Sequence, residues 1–429
     1  MPMRLLPGFF AALSLTACGF APPPPGLPHL DLEMEGAEYR GVLLRRGLEV
    51  ELDPIAAATA IDRLIAIGTR NLEWLAHINA DLPPEQRIRF TRFDEARGIP
   101  IESPRIYGPS TFVTDLAALE GEMPPAMAAV LLRGAAFTRR PPIEVEAYRL
   151  FGRRIDTHYQ LAARWRLLEP YHDLLAERRR LDVRGYYFLA REPDLDAKLA
   201  GWNELDPGLR LKLRGWLLGL CLNSGTSKEN CERQSEAFAR GEAPRFFARY
   251  RADGARVYDA YFRIPAAARR RDLRWTATES RLSLDRDLTG ALRDFVVAQI
   301  EGEYRWQGWG LRLDFGGRRP SSPYVDLVPG VTPHVESLGG NRIVMDANQD
   351  LDEPEAQWIF RHEFGHVLGL PDCYAEFFET ERNLMVNYQI DLNDLMCSRK
   401  GKMNERIFLE LRRAYTLAEE EEKETPWDD

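Results

Sequence analysis

The run His362-Glu363-Phe364-Gly365-His366-Val367-Leu368-Gly369-Leu370-Pro371-Asp372 constrains this chain more than any other stretch. His362 and His366 are four residues apart. On an α-helix that spacing puts both imidazoles on one face, one turn apart. A single Zn²⁺ can then reach both, at about 2.0–2.1 Å per nitrogen. Glu363 lies beside them without being a ligand, placed to take the proton of an attacking water. Gly369 can adopt φ > 0, so the helix is predicted to end there and the chain to turn back under the metal. Pro371 stops the helix from resuming. Asp372 is then the third ligand, and a fourth position stays open, as a catalytic zinc site requires. Phe364, Val367, Leu368 and Leu370 give the same segment a buried face, which two solvated surface histidines would not need.

These residues resemble the metzincin clan of metallopeptidases, whose signature is HExxHxxGxx followed by a third ligand. With Asp372 in that last place the motif is similar to the HExxHxxGxxD of the snapalysin-type small neutral proteases. The resemblance is close over about residues 355–415, loose back to about 275, and absent before that. It implies a zinc-dependent endopeptidase with one Zn²⁺ per chain, a protein or peptide substrate, and a Met-turn beneath the metal. Asn383-Leu384-Met385 and Asp394-Leu395-Met396 both fit that turn. Met396 is favoured. Cys373 directly follows the third ligand and Cys397 directly follows Met396, so a Cys373–Cys397 disulfide would hold residue 396 close to residue 372. Met385 is the alternative. The insertion between Cys373 and Met396 is long, which puts the family's specificity pocket in question.

The N-terminus reads as an export signal. Arg4 supplies a short positive region, and Leu5 to Ala17 is an apolar run too short to span a bilayer. Leu15-Thr16-Ala17-Cys18 resembles a bacterial lipobox, with residues 1–17 as signal peptide and Cys18 as the lipidated residue. Residues 18–29, with Pro22-Pro23-Pro24-Pro25, would form a stiff polyproline II tether. This pattern implies a protein anchored to a membrane through its lipid. Gly19 rather than Asp after the cysteine implies, in a Gram-negative cell, the outer membrane. The chain has five cysteines. Setting Cys18 aside leaves the locally spaced pairs Cys221–Cys231 and Cys373–Cys397, an even number that suits an oxidising compartment.

The fold class expected is α+β. A mostly helical domain of unknown role is placed at residues 30–265 and a zincin-like metallopeptidase domain at 270–429. Asp53-Pro54 signals a helix start, and apolar residues at helical spacing follow. Helical regions are expected from about Glu144 to Arg180, interrupted near Pro170, and from about Asp196 to Leu222. His158 and His172 in this half read as satisfied or surface histidines. After residue 275 the pattern changes. Leu288 to Ile300 is amphipathic. Leu311, Leu313 and Phe315 alternate as in a half-buried strand, and Tyr324–Val328 and Arg342–Asp346 are further strands. The metal-binding helix starts near Glu353-Pro354, and a last helix spans about Asn404 to Tyr415.

The net charge of −9 argues against nucleic acid as a partner. Arg178-Arg179-Arg180 and Arg269-Arg270-Arg271 read as solvated faces paired with nearby acids, and the tail Glu419–Glu422 as a solvated helix end. Asp346, Asn348, Asp350 and Asp352 alternate as Ca²⁺ ligands can. Leu351 stands where an EF-hand needs Gly, which favours an acidic N-cap region over a calcium site. A substrate would lie extended along an edge strand, Arg342–Asp346, by β-augmentation, with Tyr374 and Tyr388 as candidates to polarise its carbonyl. Two further readings stay open: a non-catalytic metal-binding lipoprotein, against which the intact Glu363 argues, and a zinc amidase acting on cell-wall peptides.

Overall fold

The computed structural model describes residues 54–90, 105–177, 184–318, 320–380, 382–398 and 401–424. The signal peptide, Cys18, the polyproline tether and Arg178–Arg180 lie outside them. The chain is mixed α+β, with many helices and small sheets. Its N-terminal half holds α1 (Pro54–Asn79), β1 (Arg105–Tyr107), α2 (Pro109–Glu122), α3 (Pro125–Leu131), α4 (Val145–Leu168) and α5 (His172–Glu177). Then come α6 (Arg184–Leu189), α7 (Leu195–Ala200), α8 (Pro207–Asn223), α9 (Lys228–Ser235) and α10 (Ala243–Phe262). Pro170 sits in a 3-10 turn between α4 and α5. The single helix expected over residues 196–222 is instead two. Asp206 accepts hydrogen bonds from the backbone N–H groups of Gly208 and Leu209, with Pro207 at the first helical position. An Asp–Pro pair of this kind starts a new helix rather than continuing one.

In the C-terminal half, β2 (Arg274–Trp275), β3 (Glu279–Asp285), β4 (Arg305–Trp306) and β5 (Trp309–Gly317) form a sheet in the order β2-β3-β5-β4, packed by α11 (Gly290–Glu303). Trp309, Leu311 and Leu313 are buried on one face of β5, the period-two pattern of a half-covered strand. A second sheet joins β6 (Tyr324–Val328), β7 (His334–Val335) and β8 (Arg342–Asp346). Its order is β6-β8-β7, with β8 parallel to β6 and antiparallel to β7. The expectation that Arg342–Asp346 is the edge strand is therefore corrected. Tyr324 to Val328 pair along one side of β8, and His334 and Val335 pair with Val344 and Ile343 on the other. Its hydrogen-bonding groups are largely taken, and β6 and β7 are the edges.

The helix α12 (Pro354–Val367) follows, then β9 (Tyr374–Glu379), β10 (Leu384–Gln389) and α13 (Glu405–Glu424). The insertion between Cys373 and Met396 is thus an antiparallel hairpin. Its second strand also pairs with β1, matching Ile106 to Val386, in a β1-β10-β9 sheet. This long-range pairing ties the two halves of the chain together.

Among the described residues, most of the buried apolar side chains fall into three clusters. One joins α1 to α5 and takes in Phe378 and Met385 from the hairpin. A second surrounds the Cys221–Cys231 disulfide. The largest runs from Tyr187, Val257 and Phe262 to Tyr415 and holds the apolar face of α12. The boundary expected at residues 265–270 crosses this cluster. Arg270 is buried and holds Asp272 and the carbonyls of Ser321 and Gly340, so it does not lie on a solvated face. His158 lies 3.2 Å from the Asp115 carboxylate, and His172 stacks on Phe378 at 4.0 Å.

Candidate metal centre

Pro354 occupies the first turn of α12 and Glu353 its N-cap position. Ala356, Phe360, Phe364 and Val367 fall at helical spacing on one fully buried face. That burial fixes the rotation of the helix and leaves His362, Glu363 and His366 on the flank beside a cavity of about 480 Å³. The helix ends where Gly369 adopts φ +82°. There the N–H groups of Gly369 and Leu370 donate to the carbonyls of His366 and Gly365. Glycine is required twice over. The left-handed conformation strains any other residue, and a Cβ here would meet the Ala268 carbonyl oxygen at 2.7 Å.

The reversal brings Asp372 back beneath the two histidines. His362 Nδ1 lies 3.0 Å from the Leu395 carbonyl and His366 Nδ1 2.8 Å from the Leu370 carbonyl. A carbonyl only accepts, so each Nδ1 carries the proton and each Nε2 presents its lone pair. The two Nε2 atoms lie 3.0 and 3.3 Å from Asp372 Oδ1. Three electron-rich atoms converge on one point, an arrangement that only a cation or an added proton relieves. Such outer hydrogen bonds also orient imidazoles for a metal.

The charges around this point follow. For His366, burial disfavours the charged form, but the Asp372 carboxylate outweighs it and pushes the ring up to about 9. Burial works against the Asp372 carboxylate too, yet His362 and His366 hold it well below the usual range. Burial pushes the Glu363 carboxyl up, with the two histidines pulling it partly back. A carboxyl raised in this way is suited to proton transfer near neutral pH.

Beneath the helix, Met396 is fully buried in the same cluster. A Cβ on Gly365 would fall 2.3 Å from its sulfur, so the thioether rests against the helix backbone between the two histidines. Met385 packs instead in the N-terminal cluster with Tyr107 and Phe378. Cys373 and Cys397 are at disulfide distance, Cα to Cα 4.5 Å, and the Cys373 N–H donates to the Met396 carbonyl. Asp394 anchors the turn. Its carboxylate accepts from the Met396 N–H, from Asn404 Nδ2 and from the Arg406 guanidinium. Asp394 and Arg406 are both buried. This pair thus sets the position of the Leu395 carbonyl that orients His362.

Among the described residues, His362, Glu363 and His366 form one group able to hold a metal, and Cys373, Asp394 and Cys397 another. The second is not a metal site. Its sulfurs are joined and its carboxylate serves Arg406. Two of the alternating acids before α12 have other partners. Asp346 accepts from the Gly330 and Asn348 N–H groups, and Asp350 pairs with Arg149 and Arg89.

A second wall of the cavity carries Tyr107, Leu161, Arg164, Glu376 and Asn387, Tyr374 lines it within hydrogen-bonding reach of Asp372, and His334 lies on β7. Tyr388 does not line it. Tyr107, Arg164, His334 and Glu376 were not singled out in the sequence. For His334 a signal existed, because it is the other histidine of residues 270–429 beside the motif pair. For Arg164 and Glu376, 212 positions apart, there was none. No model of a known protein family, no characterised protein and no solved structure matches this chain.

Proposed function

We propose that the chain is an exported, lipid-anchored zinc-dependent endopeptidase of the metzincin type. The observation that carries this reading is the convergence of His362 Nε2, His366 Nε2 and Asp372 Oδ1 beside a buried Glu363, at one end of an open cavity. The donor set fits zinc, with two imidazoles oriented through their Nδ1 atoms by backbone carbonyls and one carboxylate. Zinc, when bound there, supplies a Lewis acid that polarises a peptide carbonyl and lowers the pKa of water to about 7. Glu363 accepts the proton of the attacking water and returns it to the leaving amine. Burial favours the protonated form of Glu363 and so favours its taking that proton. The peptide lies extended along β7, where His334 and Val335 line the cavity, and main-chain pairing would align it. Tyr374, within hydrogen-bonding reach of Asp372, is the candidate partner for the carbonyl oxygen.

Turnover of a quenched peptide library tests the proposal. Activity should vanish on chelation and return with one equivalent of Zn²⁺. Release of cell-wall peptides without any peptide-library turnover would replace the endopeptidase by an amidase. Zinc binding with neither activity would replace it by a binding protein.

A further inference from the structure

Arg164 reaches the cavity from α4, in the half of the chain that supplies no metal ligand. Its guanidinium is pinned rather than free. Nη2 lies 2.6 Å from Glu376 Oε2 and Nε lies 3.3 Å from Glu376 Oε1. Tyr107 Oη donates to Glu376 Oε1 as well, at 3.4 Å. The acceptor capacity of Glu376 is therefore directed inward, and its side chain is only 15% exposed against 42% for Arg164. What the wall offers to the cavity is the remaining edge of the guanidinium. A fork held in one orientation loses little entropy on binding and matches a carboxylate in geometry. Tyr374, two residues after Asp372 and within hydrogen-bonding reach of its carboxylate, also lies close enough to Arg164 to feel its charge, which connects this cation to the metal corner.

We propose that Arg164 is a specificity-determining residue that takes a carboxylate of the bound peptide, with Glu376 as the residue that positions it. This inference rests on the peptidase reading of the same site. The carboxylate could belong to an acidic side chain or to the peptide's C-terminus, and the test separates the two.

Fluorescent peptides are titrated against the zinc-loaded Glu363→Gln protein, which holds them uncut. One series carries Asp or Glu within a C-terminally amidated peptide, with Asn or Gln as the control. The other is neutral, with a free or an amidated C-terminus. Preference for the carboxylate in one series should be about tenfold, the value for a charge-assisted contact at a half-exposed site. It should disappear when Arg164→Gln and Glu376→Gln are combined, a change that leaves no buried charge unpaired. Should that variant fail to fold, Arg164→Lys keeps the charge but not the fork, and its preference should shrink. Equal binding of acid and amide in both series overturns the proposal, as does a preference that survives these variants. If peptides bind with the preference but the Glu363 protein cleaves none, the peptidase reading falls and this one stands. Cleavage without the preference has the opposite consequence.

Discussion

The two walls of the cavity are built on different principles. The metal wall comes from a short stretch of chain. His362, Glu363, His366 and Asp372 lie on one helix and the reversal after it, and the turn at Met396 is held to them by Cys373 and Cys397. The second wall is assembled from segments remote in sequence. Tyr107 comes from β1, Leu161 and Arg164 from α4, and Glu376 and Asn387 from the hairpin. The first wall is set by local spacing. The second is set by strand pairing between β1 and β10 and by packing in the N-terminal cluster. One part of the lining is thus local in sequence and the other is long-range.

Perturbing the metal wall should have the larger effects. His366→Ala should reduce zinc content from near one equivalent to near zero and remove turnover with it. Full zinc retention in that variant, measured by metal analysis, would break the ligand assignment. Glu363→Gln should keep the zinc and the thermal stability while slowing peptide turnover by about 10²–10⁴-fold. Wild-type rates would show that the proton moves by another route. Arg406→Met leaves Asp394 buried without its cation, a change that costs about 3–5 kcal/mol. It should also weaken zinc binding, because the Leu395 carbonyl that orients His362 loses its anchor. Lost stability with unchanged zinc affinity would confine the pair to a purely structural role.

The disulfides sharpen the contrast between regions. Replacing Cys373 and Cys397 by Ser should cost about 3 kcal/mol in the loop-entropy picture and loosen zinc at the same time. Replacing Cys221 and Cys231, in a separate cluster, should lower stability and leave zinc binding alone. The smallest effect is one of pH on the metal-free protein. His366 is raised from its usual 6.5 to about 9 by Asp372. Its contribution to stability is therefore complete below about pH 6.5 and is lost as pH rises through about 9. Thermal melts of chelated protein between pH 6 and 10 should show this decline, and His366→Gln should flatten it.

Much of the C-terminal half was legible in the sequence because its signals are local. The alternation of Leu311 and Leu313 marked a strand, Tyr324–Val328 and Arg342–Asp346 formed as strands of those bounds, and Gly369 took the positive φ that ends the helix. The spacing of His362, Glu363, His366 and Asp372 needs only a helix and a reversal to bring these side chains together, so their convergence was readable without knowledge of the fold. Tertiary structure decided the rest. It made Arg342–Asp346 an inner strand, because pairing partners are chosen by chain segments that no periodicity identifies. It folded the insertion after Cys373 into a hairpin that completes a sheet with β1. It separated Met396 from Met385 by packing them in different clusters, and it brought Arg164 to Glu376. Contacts between residues hundreds of positions apart leave no mark in local spacing, since they depend on how whole surfaces fit and not on which residue follows which.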